Sequence, residues 1–261
     1  MKYTLGLAQT CHPKDGAVSD LVDRVAYEAK EAGVDLLVFP ESLMTRYEQD
    51  RGDFLAAAEP LDGAFCTSID ALAAKHGLWM VYTVNELNPE GQPFNTAVVV
   101  DDCGQKQGVY RKTHLFDTDF IRESDRMGRG NELFEPIETP FGKIGLGICY
   151  DLRFPELARY EALRGADLIL YPAAWVDGKL KAHQWQTLLT ARAIENEVFV
   201  AGVSRADAGY IGQSCIVDPR GVVIAAGGLE QCLVTARVDT KEVSRVRASM
   251  PTLNHRRPEL Y

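Results

Sequence analysis

The 261-residue chain has no long hydrophobic run. Its greasiest stretch, Ala166 to Val176, is broken by Asp167 and Pro172 and falls short of the ~18 apolar residues that suggest a membrane span. Basic charge is scarce as well: 28 Lys and Arg against 37 Asp and Glu leave a formal net charge of −9, which repels a phosphate backbone and an anionic membrane surface at long range. Neither nucleic acid nor a membrane is expected as a partner. The six cysteines (Cys11, Cys66, Cys103, Cys149, Cys215 and Cys232) include no CxxC pair and no tight spacing, so a disulfide framework or a zinc site has no support. Free thiols in a reducing compartment are the expectation. The first ten residues turn polar too soon for a signal peptide, which points to a cytoplasmic protein. With no internal repeat, low-complexity tract or break in composition, one domain over residues 1–261 is the economical organisation.

What the chain does have is alternation. Short β-rich runs at Tyr3 to Ala8, Leu36 to Phe39, Trp79 to Val84, Thr96 to Val100, Ile144 to Cys149, Leu168 to Tyr171, Val198 to Val203 and Val222 to Ala225 are interleaved with amphipathic helical patterns. The clearest helices are Ala17 to Ala32, Phe65 to His76, Pro155 to Arg164 and His183 to Asn196, with apolar residues recurring three and four apart. Gly33 and Gly165 stand where a left-handed C-cap is wanted. Asn85 to Gln92 and Asp101 to Gly108 read as turns joining hairpin-like strands. The class is α/β, with helices packed outside sheet.

The chemistry gathers at the ends of three strand-like segments. Leu36 to Pro40 ends in Glu41, Val109 to Arg111 leads into Lys112, and Ile144 to Ile148 ends at Cys149. Ligands collect beyond the carboxyl ends of strands in open α/β sheets, so three ionisable groups far apart in sequence can converge there. A thiol with an ordinary pKa near ~8.5 is mostly protonated at neutral pH and needs a base or a cation beside it. Glu41 offers the base, with a pKa expected to be raised by desolvation, and Lys112 offers the cation that stabilises an oxyanion. Gly145 and Gly147 leave room beside the strand, and Pro155 presets the first turn of the helix after it. Taken singly, each group has a plainer reading: a buried inert thiol, a capping acid, a surface lysine.

Phe39-Pro40-Glu41, Tyr110-Arg111-Lys112-Thr113-His114-Leu115 and Gly147-Ile148-Cys149-Tyr150-Asp151-Leu152-Arg153-Phe154-Pro155-Glu156 resemble, in order, the glutamate, lysine and cysteine motifs of the nitrilase superfamily of carbon-nitrogen hydrolases. Further agreement at Tyr171 to Trp175, Ala191 to Asn196, Gly212 to Ser214 and Asp218 to Gly221 extends the resemblance over essentially the whole chain. It implies a four-layer α-β-β-α sandwich that dimerises through helices. It also implies Glu41 as general base, Lys112 as transition-state stabiliser, Cys149 as nucleophile and Glu123, within Phe120 to Ser124, as a second glutamate lining the site. Lys112 to Asp117 together with Cys149 to Phe154 look most like the branch of omega-amidase and deaminated-glutathione amidase, which implies a small carboxylate-bearing amide as substrate. Leu152 stands where many omega-amidases carry methionine.

Other readings compete with this one. A papain-like pair of Cys149 with His114 or His183 lacks the local signatures of those proteases. Gly142, Gly145 and Gly147 precede or lie within their strand, which is the wrong context for a dinucleotide loop. A silent binding module is argued against by the presence of all three reactive groups. Within the enzyme class, an N-carbamoyl hydrolase and a nitrilase stay open. Arg153, four residues past the nucleophile, either reads a substrate carboxylate bidentately or forms a structural ion pair with Glu156 at (i, i+3) or with another acid. Asp117, Tyr150 and Trp175 are candidates to line the pocket, with core packing the alternative for the two aromatics. No metal or organic cofactor is implied, since a thiol, a base and an oxyanion cation complete acyl transfer to water. Met250 to Tyr261 is either a surface tail or an arm onto a neighbouring subunit.

Overall fold

The computed structural model describes residues 1–13, 15, 17–45, 54–119 and 121–260. Phe120 and Tyr261, which belong to the Glu123 segment and the tail, lie outside the described residues. In chain order the first half forms β1 (Lys2–Gln9), α1 (Val18–Glu31), β2 (Leu36–Val38), α2 (Ala64–His76), β3 (Trp79–Glu86), β4 (Phe94–Val100) and β5 (Lys106–Arg111). The second half forms β6 (Ile137–Thr139), β7 (Gly142–Leu146), α3 (Pro155–Leu163), β8 (Leu168–Ala173), α4 (Lys181–Asn196), β9 (Phe199–Ser204), β10 (Cys215–Val217), β11 (Val223–Ala226), β12 (Cys232–Asp239) and α5 (Lys241–Ser249).

These strands make two six-stranded sheets, ordered β12-β1-β2-β3-β4-β5 and β11-β10-β9-β8-β7-β6. Each has three parallel strands at its centre, β1-β2-β3 and β7-β8-β9, with antiparallel strands outside them. One direction argument places the site. Strand β4 runs against β3 and β5 runs against β4, so β5 ends at the same edge as β2. Glu41 and Lys112 therefore emerge together.

Burial explains why β2 reads as an unbroken apolar run. Leu36 and Val38 point into the core shared with the second sheet, while Leu37 and Phe39 point into a second core with Val22, Val25, Ile69 and Ala73 of α1 and α2. Both faces of the strand are covered, as in parallel sheets generally. On the far side, α3 and α4 supply Leu157, Ala158, Trp185 and Leu189 to the core of the second sheet. The molecule is an α-β-β-α sandwich. No helix among the described residues is long and apolar enough to cross a membrane.

The expected strands and helices all form, with shifted ends. Gly33 and Gly165 take φ of +71° and +92°, as left-handed caps do. Strand β7 stops at Leu146 and does not run on to Cys149, which instead opens a 3-10 turn over Cys149–Arg153. Strands β6, β10 and β12 and helix α5 are not among the segments read from the sequence, and Lys106 to Gly108, read as part of a turn, instead begin β5. The longest of these strands, β12, pairs over its full length with β1, a partner more than 220 residues away by the registered pair Gln9 and Cys232. The C-terminal tail touches its own chain, where Thr252 donates from its backbone N and its hydroxyl to Glu197 Oε1 at 3.1 and 2.6 Å.

Candidate active site

Cys149 sits on a strained elbow. Cys149 has φ of +47°, a left-handed conformation that costs a non-glycine residue on the order of 1–3 kcal/mol and persists only where surroundings fix it. The fixing group is Asp151, fully buried, whose Oδ2 accepts the Ile148 N–H at 2.8 Å and the Tyr110 hydroxyl at 2.9 Å. Its Oδ1 accepts the His114 N–H at 3.1 Å, with His114 Nδ1 at 2.8 Å. One carboxylate thus ties the cysteine turn to the loop after β5. The glycine before the turn is required by close approach, since a Cβ on Gly147 would stand 2.7 Å from the Tyr171 ring.

Cys149, Lys112, Glu41 and Glu123 are all buried, with 9%, 2%, 5% and 5% of their surface exposed. Lys112 Nζ donates to Glu41 Oε1 at 2.8 Å and to Glu123 Oε2 and Oε1 at 2.8 and 3.0 Å. Asn95 Nδ2 bridges the two acids, donating to Glu41 Oε1 at 2.7 Å and Glu123 Oε1 at 3.3 Å. The remaining lone pairs are taken by backbone: Ala174 N donates to Glu41 Oε2 at 2.8 Å, and Phe116 N to Glu123 Oε2 at 2.6 Å. Such completeness is what a buried ionic cluster demands.

Titration behaviour is set by these contacts. Burial pushes the Lys112 pKa down, but the charges of Glu123 and Glu41 outweigh it and hold the ammonium well above the usual lysine range. Burial and the Glu41 charge raise the Cys149 thiol well above its ordinary value, against a smaller lowering by Lys112. For Glu41 the sequence expectation is reversed. Burial raises its pKa, yet the Lys112 charge, the hydrogen bond from Lys112 and the bond from Ala174 together bring it below the ordinary glutamate range. The resting site is therefore a neutral thiol facing a carboxylate–ammonium–carboxylate cluster.

Two small cavities open on the thiol. One, of about 40 Å³, is lined by Glu41, Asn95, Lys112, Glu123, Cys149 and others. The other, of about 20 Å³, is lined by Cys149, Tyr150, Arg153, Trp175 and Lys181 among others, and Phe116 borders both. A larger groove of about 700 Å³ runs beside Gly108 to Arg111 and Arg129 to Glu135 but holds none of the reactive groups. Its size is no argument for function.

Tyr150 and Trp175 line the second cavity, and Trp175 is at the same time part of the buried core. Arg153 lines that cavity too, and it does not pair with Glu156: its Nη2 donates to Gln184 Oε1 at 2.8 Å, with its guanidinium 4.9 Å from the Trp175 ring centre and 5.9 Å from that of Tyr150. Asp117 is a correction. It is exposed, lines neither cavity, and accepts the Ser124 N–H at 3.0 Å, closing the loop that carries Glu123. Four groups were missed: Asn95, Asp151, the Ala174 N–H and Lys181. A signal existed for Asn95, since it shares the inward face of β4 with Ala97 and Val99, where a polar residue needs a reason.

A family model described as carbon-nitrogen hydrolase matches residues 5–248. The deaminated glutathione amidase of Escherichia coli O157:H7 is 39% identical over 230 residues, covering 88% of this chain and 87% of that protein. The deaminated glutathione amidase of Homo sapiens is 35% identical over 252 residues, covering 90% and 76%. Among solved structures, the Caenorhabditis elegans NitFhit protein superposes with a TM-score of 0.91 at 30% identity, covering all of this chain and 66% of that one. A variant of the amidase from Nesterenkonia sp. AN1, with the acetamide moiety of fluoroacetamide covalently added at its active site cysteine, gives 0.81 at 26% identity, covering 99% and 95%. The chain belongs to the carbon-nitrogen hydrolase family. It is an enzyme of that family, an amidase.

Proposed function

We propose that the enzyme hydrolyses the amide of a small carboxylate-bearing acyl chain, the ω-amide of a 2-oxo acid or a close analogue, through a thioester on Cys149. The observation that carries this reading is Arg153. Its guanidinium borders the cavity that opens on the nucleophile, backed by an indole, and no described carboxylate pairs with it. A planar fork so placed suits a carboxylate. The name of the relatives supports the same class, since deaminated glutathione is an amide whose acyl half ends in a 2-oxo acid.

The resting charges dictate the mechanism. As Sγ bonds to the amide carbon, negative charge grows on the carbonyl oxygen beside Lys112. The ammonium's field is then shared between that oxyanion and Glu41, so Glu41 gains basicity at the moment the thiol must lose its proton. Glu41 takes the proton and passes it to the leaving nitrogen as the C–N bond breaks, giving ammonia from a primary amide and a thioester. Water then attacks the thioester, with Glu41 taking its proton. The C–S bond breaks, the acid leaves, and the same proton returns to sulfur. Glu123 fixes Lys112 and faces the substrate amide.

The test is product release from four compounds of one chain length: 2-oxoglutaramate, an uncharged amide, a nitrile and an N-carbamoyl amino acid. The amide bearing a carboxylate is expected to be hydrolysed best, with intact-protein mass spectrometry trapping its acyl group on Cys149. Arg153→Lys should raise KM for it by about tenfold and leave the uncharged amide within twofold. Preference for the nitrile or the carbamoyl compound, or equal effects of Arg153→Lys on both amides, would overturn the reading.

A further inference from the structure

The cavity beyond Cys149 holds a second cation that the mechanism leaves without a task. Lys181 is the first residue of α4 and lines the same cavity as Arg153. Its backbone is held on both sides: its carbonyl accepts the Trp175 indole N–H at 3.2 Å, and its N–H donates to the Gly178 carbonyl at 3.0 Å. The residue before it, Leu180, takes a left-handed φ of +62°, so the chain accepts strain where it turns Lys181 into place. The ammonium stands 5.4 Å from the centre of the Phe116 ring. Burial, and then the charge of Arg153, hold its pKa below the usual lysine range, which puts the two cations in each other's field.

No described carboxylate pairs with either. Glu41 and Glu123, the two acids of the neighbouring cavity, are both engaged by Lys112. The other described residues lining the Arg153 cavity, Phe116, Tyr150, Ala174, Trp175 and Val176, carry no negative charge. Two unneutralised cations in a half-closed apolar pocket repel each other, and the arrangement suits a ligand whose head is rich in oxygen and free of positive charge. A 2-oxo acid has such a head. The corresponding 2-amino acid has an ammonium in place of the oxo group.

We propose that Lys181 is the residue by which the enzyme separates 2-oxo acid amides from their 2-amino counterparts, standing at the C2 oxygen while Arg153 holds the adjoining carboxylate. The proposal rests on the carboxylate-bearing amide being the substrate. A hydrogen bond from the ammonium favours the C2 oxygen, and its charge opposes an α-ammonium in the same place. Glutamine, of the same length as 2-oxoglutaramate, is rejected by charge.

Three amides of one length isolate this effect: 2-oxoglutaramate, glutaramate with a methylene at C2, and glutamine. Their kcat/KM values are compared in the wild type, Lys181→Arg, Lys181→Met and Lys181→Glu. The ratio of 2-oxoglutaramate to glutamine is the readout, because a partly folded sample lowers both rates alike. The ratio is expected to hold in Lys181→Arg, to fall by about tenfold in Lys181→Met, and to fall by about a hundredfold in Lys181→Glu, where the repulsion becomes an attraction. A Lys181→Glu ratio within twofold of wild type, with Arg153→Met still raising KM for glutaramate, would remove Lys181 from the selection and leave the substrate class standing. A wild type that prefers an uncharged amide to 2-oxoglutaramate and glutaramate would remove the substrate class and this proposal with it.

Discussion

Changing Glu123 to glutamine removes one of the two charges that hold Lys112, and the geometry sets the size of the loss. Glu123 accepts from Lys112 at 2.8 and 3.0 Å, from Phe116 N at 2.6 Å and from Asn95 Nδ2 at 3.3 Å. A glutamine keeps one acceptor oxygen. With that oxygen on Phe116 N, its NH2 group meets Lys112 and Asn95, which are both donors. Breaking one side of a buried ion pair costs about 3–5 kcal/mol when the charge is stranded, but Lys112 keeps Glu41, so about 2–3 kcal/mol is expected. At roughly 2–4 °C per kcal/mol for a chain of this size, Tm should fall by about 5–10 °C. The catalytic effect should be larger. The retained oxygen still accepts from Lys112 but carries no charge, so Glu41 alone balances the ammonium and becomes a weaker base, and kcat should drop by about a hundredfold. Glu123 is also the foremost of the charges that raise the Lys112 pKa. A raised lysine contributes stability that is present below its unfolded value of about 10.4 and is lost as pH rises through its folded value. In Glu123→Gln that folded value comes down, so both the alkaline limb of kcat and the alkaline loss of stability should move to lower pH. The assay is kcat against pH with calorimetry on the same samples. An unchanged kcat and an unchanged alkaline limb would refute the role of Glu123.

Three further outcomes test other parts of the site. Cys149→Ala and Cys149→Gly should both be inactive, but the glycine variant should unfold at the higher temperature by about 1 kcal/mol equivalent, because φ of +47° costs glycine nothing; the opposite order would show that the elbow is unstrained. Asp151→Asn puts a donor against Ile148 N–H or His114 N–H, and should lose about 2–4 kcal/mol by denaturant unfolding, with kcat falling even where the protein is fully folded; a native kcat would mean that the elbow holds without it. Glu161 is fully buried, accepts Leu146 N at 2.8 Å, and has its pKa raised well above normal by burial. Its stability contribution is full below its unfolded pKa and is lost as pH rises toward the folded value, so Glu161→Gln should gain on wild type by ~1.4 kcal/mol per pH unit across that window and match it at pH 4; a pH-independent difference would disprove the buried neutral acid.

The parts of the fold that could be read from sequence are those whose pattern is local. Strand β2 is apolar throughout because both faces are covered, and α1 shows its stripe because one face meets solvent. Strand β12 alternates too weakly to stand out and is defined by its pairing with β1, which no local window contains. The site divides in the same way. Glu41, Lys112 and Cys149 sit next to strand ends and carry reactive groups, so position and chemistry both mark them. Asn95 and the Ala174 N–H act through a geometry that appears only when chains distant in sequence meet. The Glu41 pKa failed for a related reason: burial was foreseeable, but its outcome depended on an ammonium held at 2.8 Å. Asp117 was misplaced because a loop acid near the motif and a pocket acid look alike until the loop's own backbone claims it.

The charged cluster also ties catalysis to the packing of the two sheets. Glu41, Lys112 and Asn95 come from the first sheet, whereas Cys149 and the Ala174 N–H come from the second. Glu41 Oε2 is bonded across that boundary, to Ala174 N at 2.8 Å, and Tyr110 of the first sheet reaches Asp151 of the second at 2.9 Å. Between the sheets lies one continuous core, in which Leu5, Leu7 and Val38 meet Leu146, Ile148 and Leu170. Close-packed interiors transmit displacement instead of absorbing it, so the spacing of the sheets sets the distance from thiol to base. The core under α1 and α2 lies on the outer face of the first sheet and meets the site only through the segment around Glu41, where Phe39 and Leu43 are buried. Loss of volume there loosens the first sheet's outer layer, while the same loss between the sheets separates the Cys149 thiol from Glu41 and Lys112.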